Sequence, residues 1–217
     1  MGQKKSIEAI YTSLFNKIIK NQYPPDSWLK EDKIAEEYAV SRTPVREVFR
    51  ILEQDGLVQL IPNRGVRVFG FTIDDLEDIF EIRRVLECLA LEYSVPGLSI
   101  HGLKEIRDRI EEARKTDSSH ETAQLDFELH HYFIDSCGRR RLISMLNQLT
   151  HLLQTFREMS FADREIREST YKEHITLINA ISIRDIEGAK KILEDHIRNS
   201  KIRILRTVFN TNNHAHG

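Results

Sequence analysis

Most of the chain carries apolar residues at helical spacing, and one short region alternates with period two instead. Ile7 to Lys20 (IEAIYTSLFNKIIK) places Ile7, Ile10, Tyr11, Leu14, Phe15, Ile18 and Ile19 on one face of an amphipathic helix. Glu31 to Tyr38 (EDKIAEEY) predicts a two-turn helix with Ile34 and Ala35 inward, and Ala39, Val40 and Ser41 form a short turn after it. A third helix opens at Thr43-Pro44, a side chain able to cap followed by a residue whose fixed φ suits the first helical position. Its stripe is Val45, Val48, Phe49 and Leu52, and Asp55-Gly56 stops it. Leu57–Leu60 and Val66–Val68 then alternate around Pro62-Asn63-Arg64-Gly65, which predicts a β-hairpin.

After the Phe69-Gly70-Phe71 linker the pattern is helical throughout. Helices are expected near 73–95, 101–115, 119–136, 140–159, 164–183 and 185–207, separated at Pro96-Gly97, Thr116-Asp117-Ser118, Gly138 and Arg184-Asp185. The fourth, with Leu142, Met145, Leu146, Leu149, Leu152, Leu153 and Phe156 at near-heptad spacing, should be a central packed helix. The expected fold is mainly α: an N-terminal winged helix-turn-helix over 1–70, then an all-α antiparallel six-helix bundle over 71–208. Residues 209–217, within the patternless ending NTNNHAHG, are expected to be a disordered tail.

The polar face of the third helix changes the picture from fold to function. It carries Arg46 and Arg50, with Arg42 just ahead. A short helix exposing arginines at its N-terminal end suits the DNA major groove, because a guanidinium can bond guanine O6 and N7 together. The formal charge of −2 conceals a division. Residues 1–70 hold 11 Lys and Arg against 9 Asp and Glu, and residues 71–217 hold 21 against 25. Binding should therefore lean on a few placed arginines and on dimerisation rather than on a broad positive field.

Charged residues make up 30% of the chain and hydrophobic ones 40%, as in an ordinary soluble protein. No apolar run reaches membrane-spanning length and no signal-peptide core follows Met1–Ser6, so a cytoplasmic location is expected, with no membrane partner. Cys88 and Cys137 lie in helical patterns and read as buried reduced thiols.

Among the nine histidines, His101 and His120 sit at helix starts, His151 lies opposite its helix's apolar stripe, and His214 and His216 are in the tail. His130, His174 and His196 fall on apolar stripes, where an imidazole needs a partner. Asp126 and His130 are i and i+4 on one helix face. With one imidazole from each of the last two helices they form a three-nitrogen, one-oxygen set suited to a divalent metal such as Zn, Ni or Mn. Hydrogen-bonded core histidines are the alternative, and the residues alone leave both open. Arg83 and Glu87, also i and i+4, fit either a guanidinium clamp for a carboxylate ligand or an ion pair within the helix.

The span from Trp28-Leu29 through Val68, with VSRTPVRE (40–47), Gly56-Leu57-Val58 and Gly65, resembles the DNA-binding domain of GntR-type bacterial regulators. That resemblance implies that Arg42 and Arg46 read bases, that Ser41 and Thr43 hold phosphates, and that Gly65 lets the wing tip, with Arg64, enter the minor groove. Asp32 departs from members that carry a DNA-contacting Arg there. Asp74 to Ser200 resembles the FCD effector domain of the FadR-type branch, through RRVLE (83–87), DFELH (126–130), EHITLINAI (173–181) and the Asp185–His196 stretch. Metal-binding members carry an Asp-x-x-x-His pair and two later histidines, which correspond to Asp126, His130, His174 and His196. Arg139 departs from the Asn that many members place after the Gly. The resemblance also implies that the bundle forms a dimer interface.

The expected function is a homodimeric transcription regulator, a repressor, that reads an inverted-repeat double-stranded operator. A small carboxylic acid bound at the metal, with Arg83 as a candidate contact, would control its DNA affinity. Dimerisation follows because one winged domain covers too little DNA for tight specific binding. Two readings compete: a metal-dependent hydrolase-like enzyme, and a constitutive DNA binder whose metal is purely structural. No catalytic residue is assigned, because the sequence identifies no additional buried acid or base beside the site, and an enzyme would leave residues 28–68 unexplained.

Overall fold

The computed structural model describes residues 7–62 and 64–209. Asn63 and residues 210–217, with His214 and His216, lie outside the described residues, as do the side chains of Thr150, His151, Val208 and Phe209. The chain divides into two compact units, Met1–Asp75 and Leu76–Gly217.

In the first unit α1 (Ile7–Ile19), α2 (Glu31–Tyr38) and α3 (Arg42–Gln54) surround one apolar core. Ile10, Leu14 and Phe15 of α1 and Val45, Val48, Phe49 and Leu52 of α3 are fully buried there, as their helical spacing requires. The turn between α2 and α3 is made by Ala39, whose φ of 54° is left-handed and ends α2. α3 begins one residue ahead of the expected cap. Ser41 is its N-cap, and Thr43-Pro44 falls within the first turn, where a proline still costs no helical hydrogen bond.

The hairpin is β2 (Val58–Ile61) and β3 (Gly65–Val68), paired antiparallel with Leu60 opposite Val66. A two-residue strand, β1 (Trp28–Leu29), joins its other side, so the sheet order is β1-β3-β2. Gly65 has φ +113°, and an added Cβ there would lie 3.1 Å from the Leu29 carbonyl oxygen. Turn conformation and the close passage of β1 both ask for glycine at this point.

The second unit is built from α4 (Ile73–Ser94), α5 (Ile100–Thr116), α6 (Ser119–Ser136), α7 (Arg140–Ser160), α8 (Arg164–Ser182) and α9 (Ile186–Phe209). A single 3₁₀ turn, Val95–Gly97, follows α4. Ser99, Ser118 and Asp163 cap α5, α6 and α8 through their side chains. α8 packs on α9, α5 and α6, and α7 packs on α6 and α9. α7 is less enclosed than its stripe suggests: Leu146, Leu152, Leu153 and Phe156 are buried, but Met145 is 52% exposed.

α4 departs from the usual amphipathic arrangement by burying an ion pair and exposing an apolar stripe. Its inner face buries Arg83 and Glu87 beside Leu76, Phe80 and Ala90, while Ile82, Val85, Leu89 and Tyr93 stand exposed along the outer one. Both cysteines are buried and unbonded to each other, and burial pushes the Cys88 thiol up to about 12. Among the described residues no helix is long and apolar enough to cross a membrane.

Candidate metal centre and DNA-reading face

The N-terminal turn of α3 exposes Ser41, Arg42, Thr43 and Arg46 together, with Arg50 a turn further on. Ser41 makes no side-chain cap bond. Its hydroxyl and the free N–H groups of the helix start remain available to a phosphate. The two leading arginines are paired with α2: Arg42 contacts Asp32, and Arg46 Nε donates to Glu31 at 2.8 Å. The Asp32 departure thus places an acid against a candidate base-reading arginine. Arg64, at the hairpin tip, is exposed beside Gly65.

The periodicity of three helices converges on a single point in the second unit. Asp126 and His130 project from one face of α6, His174 from α8 and His196 from α9, all buried, with one ligand atom from each lying within 4.8 Å of the others. Asp126 Oδ1 accepts from His174 Nε2 at 3.0 Å and lies 3.6 Å from His196 Nε2. His130 Nε2 and His196 Nε2 face each other at 3.1 Å.

Two further carboxylates fix how those rings are oriented. Glu87 Oε2 faces His130 Nδ1 at 2.5 Å, and Glu173 Oε2 faces His196 Nδ1 at 2.8 Å. A carboxylate can only accept, so each Nδ1 carries the proton. In the neutral rings both Nε2 lone pairs then point at one another. Two lone pairs at that distance repel; Arg83 Nη2 reaches His130 Nε2 only at 3.4 Å, and a proton or a metal ion between the two nitrogens relieves the repulsion more directly. The donor set therefore fits a divalent ion, and carboxylate–histidine support of this kind is the usual second layer of a metal site.

For Asp126, His130 and His174 the electrostatics favour the deprotonated form that such an ion needs. Burial would raise the Asp126 carboxyl, but Arg157 and the hydrogen bonds from His174 and His196 hold it well below the usual carboxylate range. Burial pushes His130 down to about 3 despite Glu87, and lowers His174 as well. His196 goes the other way: burial lowers it, but Asp126 and Glu173 together raise it above its ordinary value. Glu173 is opposed by burial yet drawn down to about 2 by His196 and Arg203. In the absence of an ion, the proton that separates the facing lone pairs belongs on His196.

Residues 6–68 match the bacterial regulatory proteins of the gntR family, and residues 78–199 match the FCD domain. The chain belongs to the GntR family and carries an FCD domain.

Similarity to individual GntR-type proteins runs along nearly the whole chain. The transcriptional regulator YdhC of Bacillus subtilis is 26% identical over 190 residues, covering 86% of this chain and 85% of YdhC. The repressor GlaR of Escherichia coli is 23% identical over 198 residues, 86% of this chain and 90% of GlaR. Among solved structures, Lar of Listeria monocytogenes shares the fold with a TM-score of 0.71 at 20% identity, over 95% of this chain and 99% of Lar. The families and relatives are transcription regulators, which sets the hydrolase alternative aside.

Sequence reasoning about this GntR regulator found the four converging ligands but not the groups around them. Glu87, Glu173 and Arg157 all lie at the site, although the sequence had suggested no further buried acid or base beside it. Arg83 gives its Nε to Glu87, and its Nη2 lies 3.4 Å from the His130 ring nitrogens. The ion pair within α4 is thus present, and it also steadies the carboxylate that holds His130. His131, next to a ligand, is not part of the cluster: its ring stacks on Phe127 and its Nδ1 faces the Phe127 carbonyl.

Proposed function

We propose that this GntR-family protein binds inverted-repeat operator DNA as a homodimer, and that a small organic acid bound at a divalent metal ion in the FCD domain controls its affinity. Asp126, His130, His174 and His196 would hold the ion, with Zn, Ni or Mn as candidates. The carrying observation is the pair of Nε2 atoms facing at 3.1 Å while both Nδ1 atoms are committed to carboxylates. When bound, the ion supplies a Lewis-acidic attachment point for a carboxylate oxygen. Arg83, buried beside His130, remains a candidate for the same ligand. GlaR is named a repressor, and repression is the output proposed here by analogy.

Metal analysis of the purified protein, followed by DNA titration before and after chelation, tests this reading. About one divalent ion per chain is expected, and chelation should lower the melting temperature, because an ion bound only to the folded state stabilises it. Purified protein without metal that also ignores added Zn, Ni and Mn would remove the ion from the proposal.

For DNA, Arg42 and Arg46 are proposed to read bases, Ser41 and Thr43 to hold phosphates, and Arg64 with Gly65 to enter the minor groove. Two substitutions should act with opposite signs. Arg46→Ala is expected to lose about 1–3 kcal/mol of operator affinity and to relax preference at one position. Asp32→Ala should tighten binding at most about five-fold, since exposed pairs such as Arg42–Asp32 are weak and DNA must displace the acid. Gel-shift titration on operator and scrambled duplexes measures both; unchanged operator affinity in Arg46→Ala would misplace the reading helix.

The exposed face of α4 is proposed as the dimer seam. Ile82, Val85, Leu89 and Tyr93 are spaced three, four and four residues apart, one continuous stripe. An isologous contact needs one self-complementary patch, which a helix crossing its own copy provides.

A further inference from the structure

Arg157 of α7 is buried against the candidate metal ligands, its side chain only 4% exposed. Its Nε meets Oδ2 of Asp126 as an ion pair. Nη1, buried with it, has no hydrogen-bond acceptor among the described residues. A buried guanidinium donor without an acceptor is costly, so its retention calls for an acceptor that arrives from outside.

Charge points the same way. Inside the cluster Arg83 and Arg157 balance Asp126 and Glu87, while Arg203 pairs with Glu173. With neutral imidazoles, the enclosed groups are therefore even without an ion, and a divalent cation leaves two positive charges in excess. Uncompensated charge is strongly disfavoured in a region this buried. One kind of ligand answers both needs.

Resting on the metal-and-effector reading above, we propose that Arg157 is the anchor for the effector, and that the effector is a small dicarboxylate. One carboxylate satisfies Arg157, and the second acidic group completes the neutralisation. Asp126 links the two halves of the site, since its Oδ1 faces His174 and His196 while its Oδ2 faces Arg157. Arg83, with Nε on Glu87 and Nη2 against His130, has partners already and chiefly fixes the wall of the site.

The test uses the full chain loaded with Zn²⁺, titrated calorimetrically with malonate, succinate and malate against acetate and lactate. At least one diacid should bind about tenfold or more tightly than both monoacids. Arg157→Gln should weaken that diacid about tenfold or more without reducing zinc content. Arg157→Lys keeps the charge but loses the planar fork, and should fall between the two. Monoacids binding as tightly as diacids, or no diacid binding at all, would overturn the ligand class. Full diacid affinity in Arg157→Gln or Arg157→Lys would overturn the anchor, and so would a loss of zinc together with stability in Arg157→Gln, the signature of a merely structural arginine. Repeating the titration after chelation separates the two readings: diacid binding that survives metal removal but still needs Arg157 defeats the metal's role and keeps the anchor.

Discussion

His174→Ala is expected to strip the metal from the protein and abolish its response to effector while leaving operator binding in place. The imidazole is 1% exposed and its Nε2 lies 3.0 Å from Asp126 Oδ1. Its loss removes a direct ligand, so metal affinity should fall by more than the roughly 10–100-fold typical of an outer-shell partner. The substitution also leaves Asp126 short of one donor, which should destabilise the second unit by about 1–3 kcal/mol. Neither effect reaches Arg42 or Arg46, which belong to the first unit. The measurement is a DNA titration with and without a bound acid, alongside zinc content and melting temperature. Effector control requires unequal affinity of the ligand for two states of the protein, with typical couplings of about 1–3 kcal/mol. Loss of a histidine that only filled the core would lower the melting temperature and spare the response. A variant that keeps both zinc and full response would end the sensor reading.

Leu89→Glu should convert the protein to monomers and cost it most of its affinity for an inverted repeat. Leu89 lies mid-stripe on the outer face of α4, between Val85 and Tyr93, where a carboxylate meeting its own copy is doubly unfavourable. Once the seam opens, the second winged domain no longer binds as part of one molecule. The effective-concentration gain of a linked pair, about 10²–10⁴, is then forfeited. Binding to a single half-site should be nearly unaffected, because the substitution lies outside the unit that carries α3. Analytical ultracentrifugation paired with titrations on full and half operators checks both parts. A dimeric Leu89→Glu protein would move the seam off α4.

How much of this was legible in the sequence depended on the range of the interaction concerned. α2 and α6 coincide with the spans their patterns predict, and the remaining helices agree to within a few residues, because helical spacing is local and the caps are local too. Asp126 and His130 could be paired from their i, i+4 relation. β1 was not foreseen: two residues offer no alternation, and their pairing depends on β3, distant in sequence. The Arg83–Glu87 pair was readable from its i, i+4 spacing, but the bond from Glu87 to His130, and the places of Glu173 and Arg157, were hidden for a different reason. A charged residue in a helix reads as solvated unless tertiary packing encloses it, and only the folded bundle shows that His130, His196 and Asp126 are its partners. Met145 fails in the opposite sense, since its apolar spacing continues to a position that nothing in the described chain covers.

The ion pairs between the acids of α2 and the arginines of α3 also bear on time. A regulator meets vastly more wrong DNA than operator, and how long it lingers there depends on the phosphate charges it neutralises. With Asp32 and Glu31 already holding Arg42 and Arg46, a random duplex must first displace those carboxylates, and it offers no guanine in register to compensate. Only a site that satisfies the guanidinium groups at both base edges repays their release. If Arg42 and Arg46 read bases as proposed, the unit should leave a wrong sequence somewhat faster, so that more of its search for the operator is spent moving than waiting.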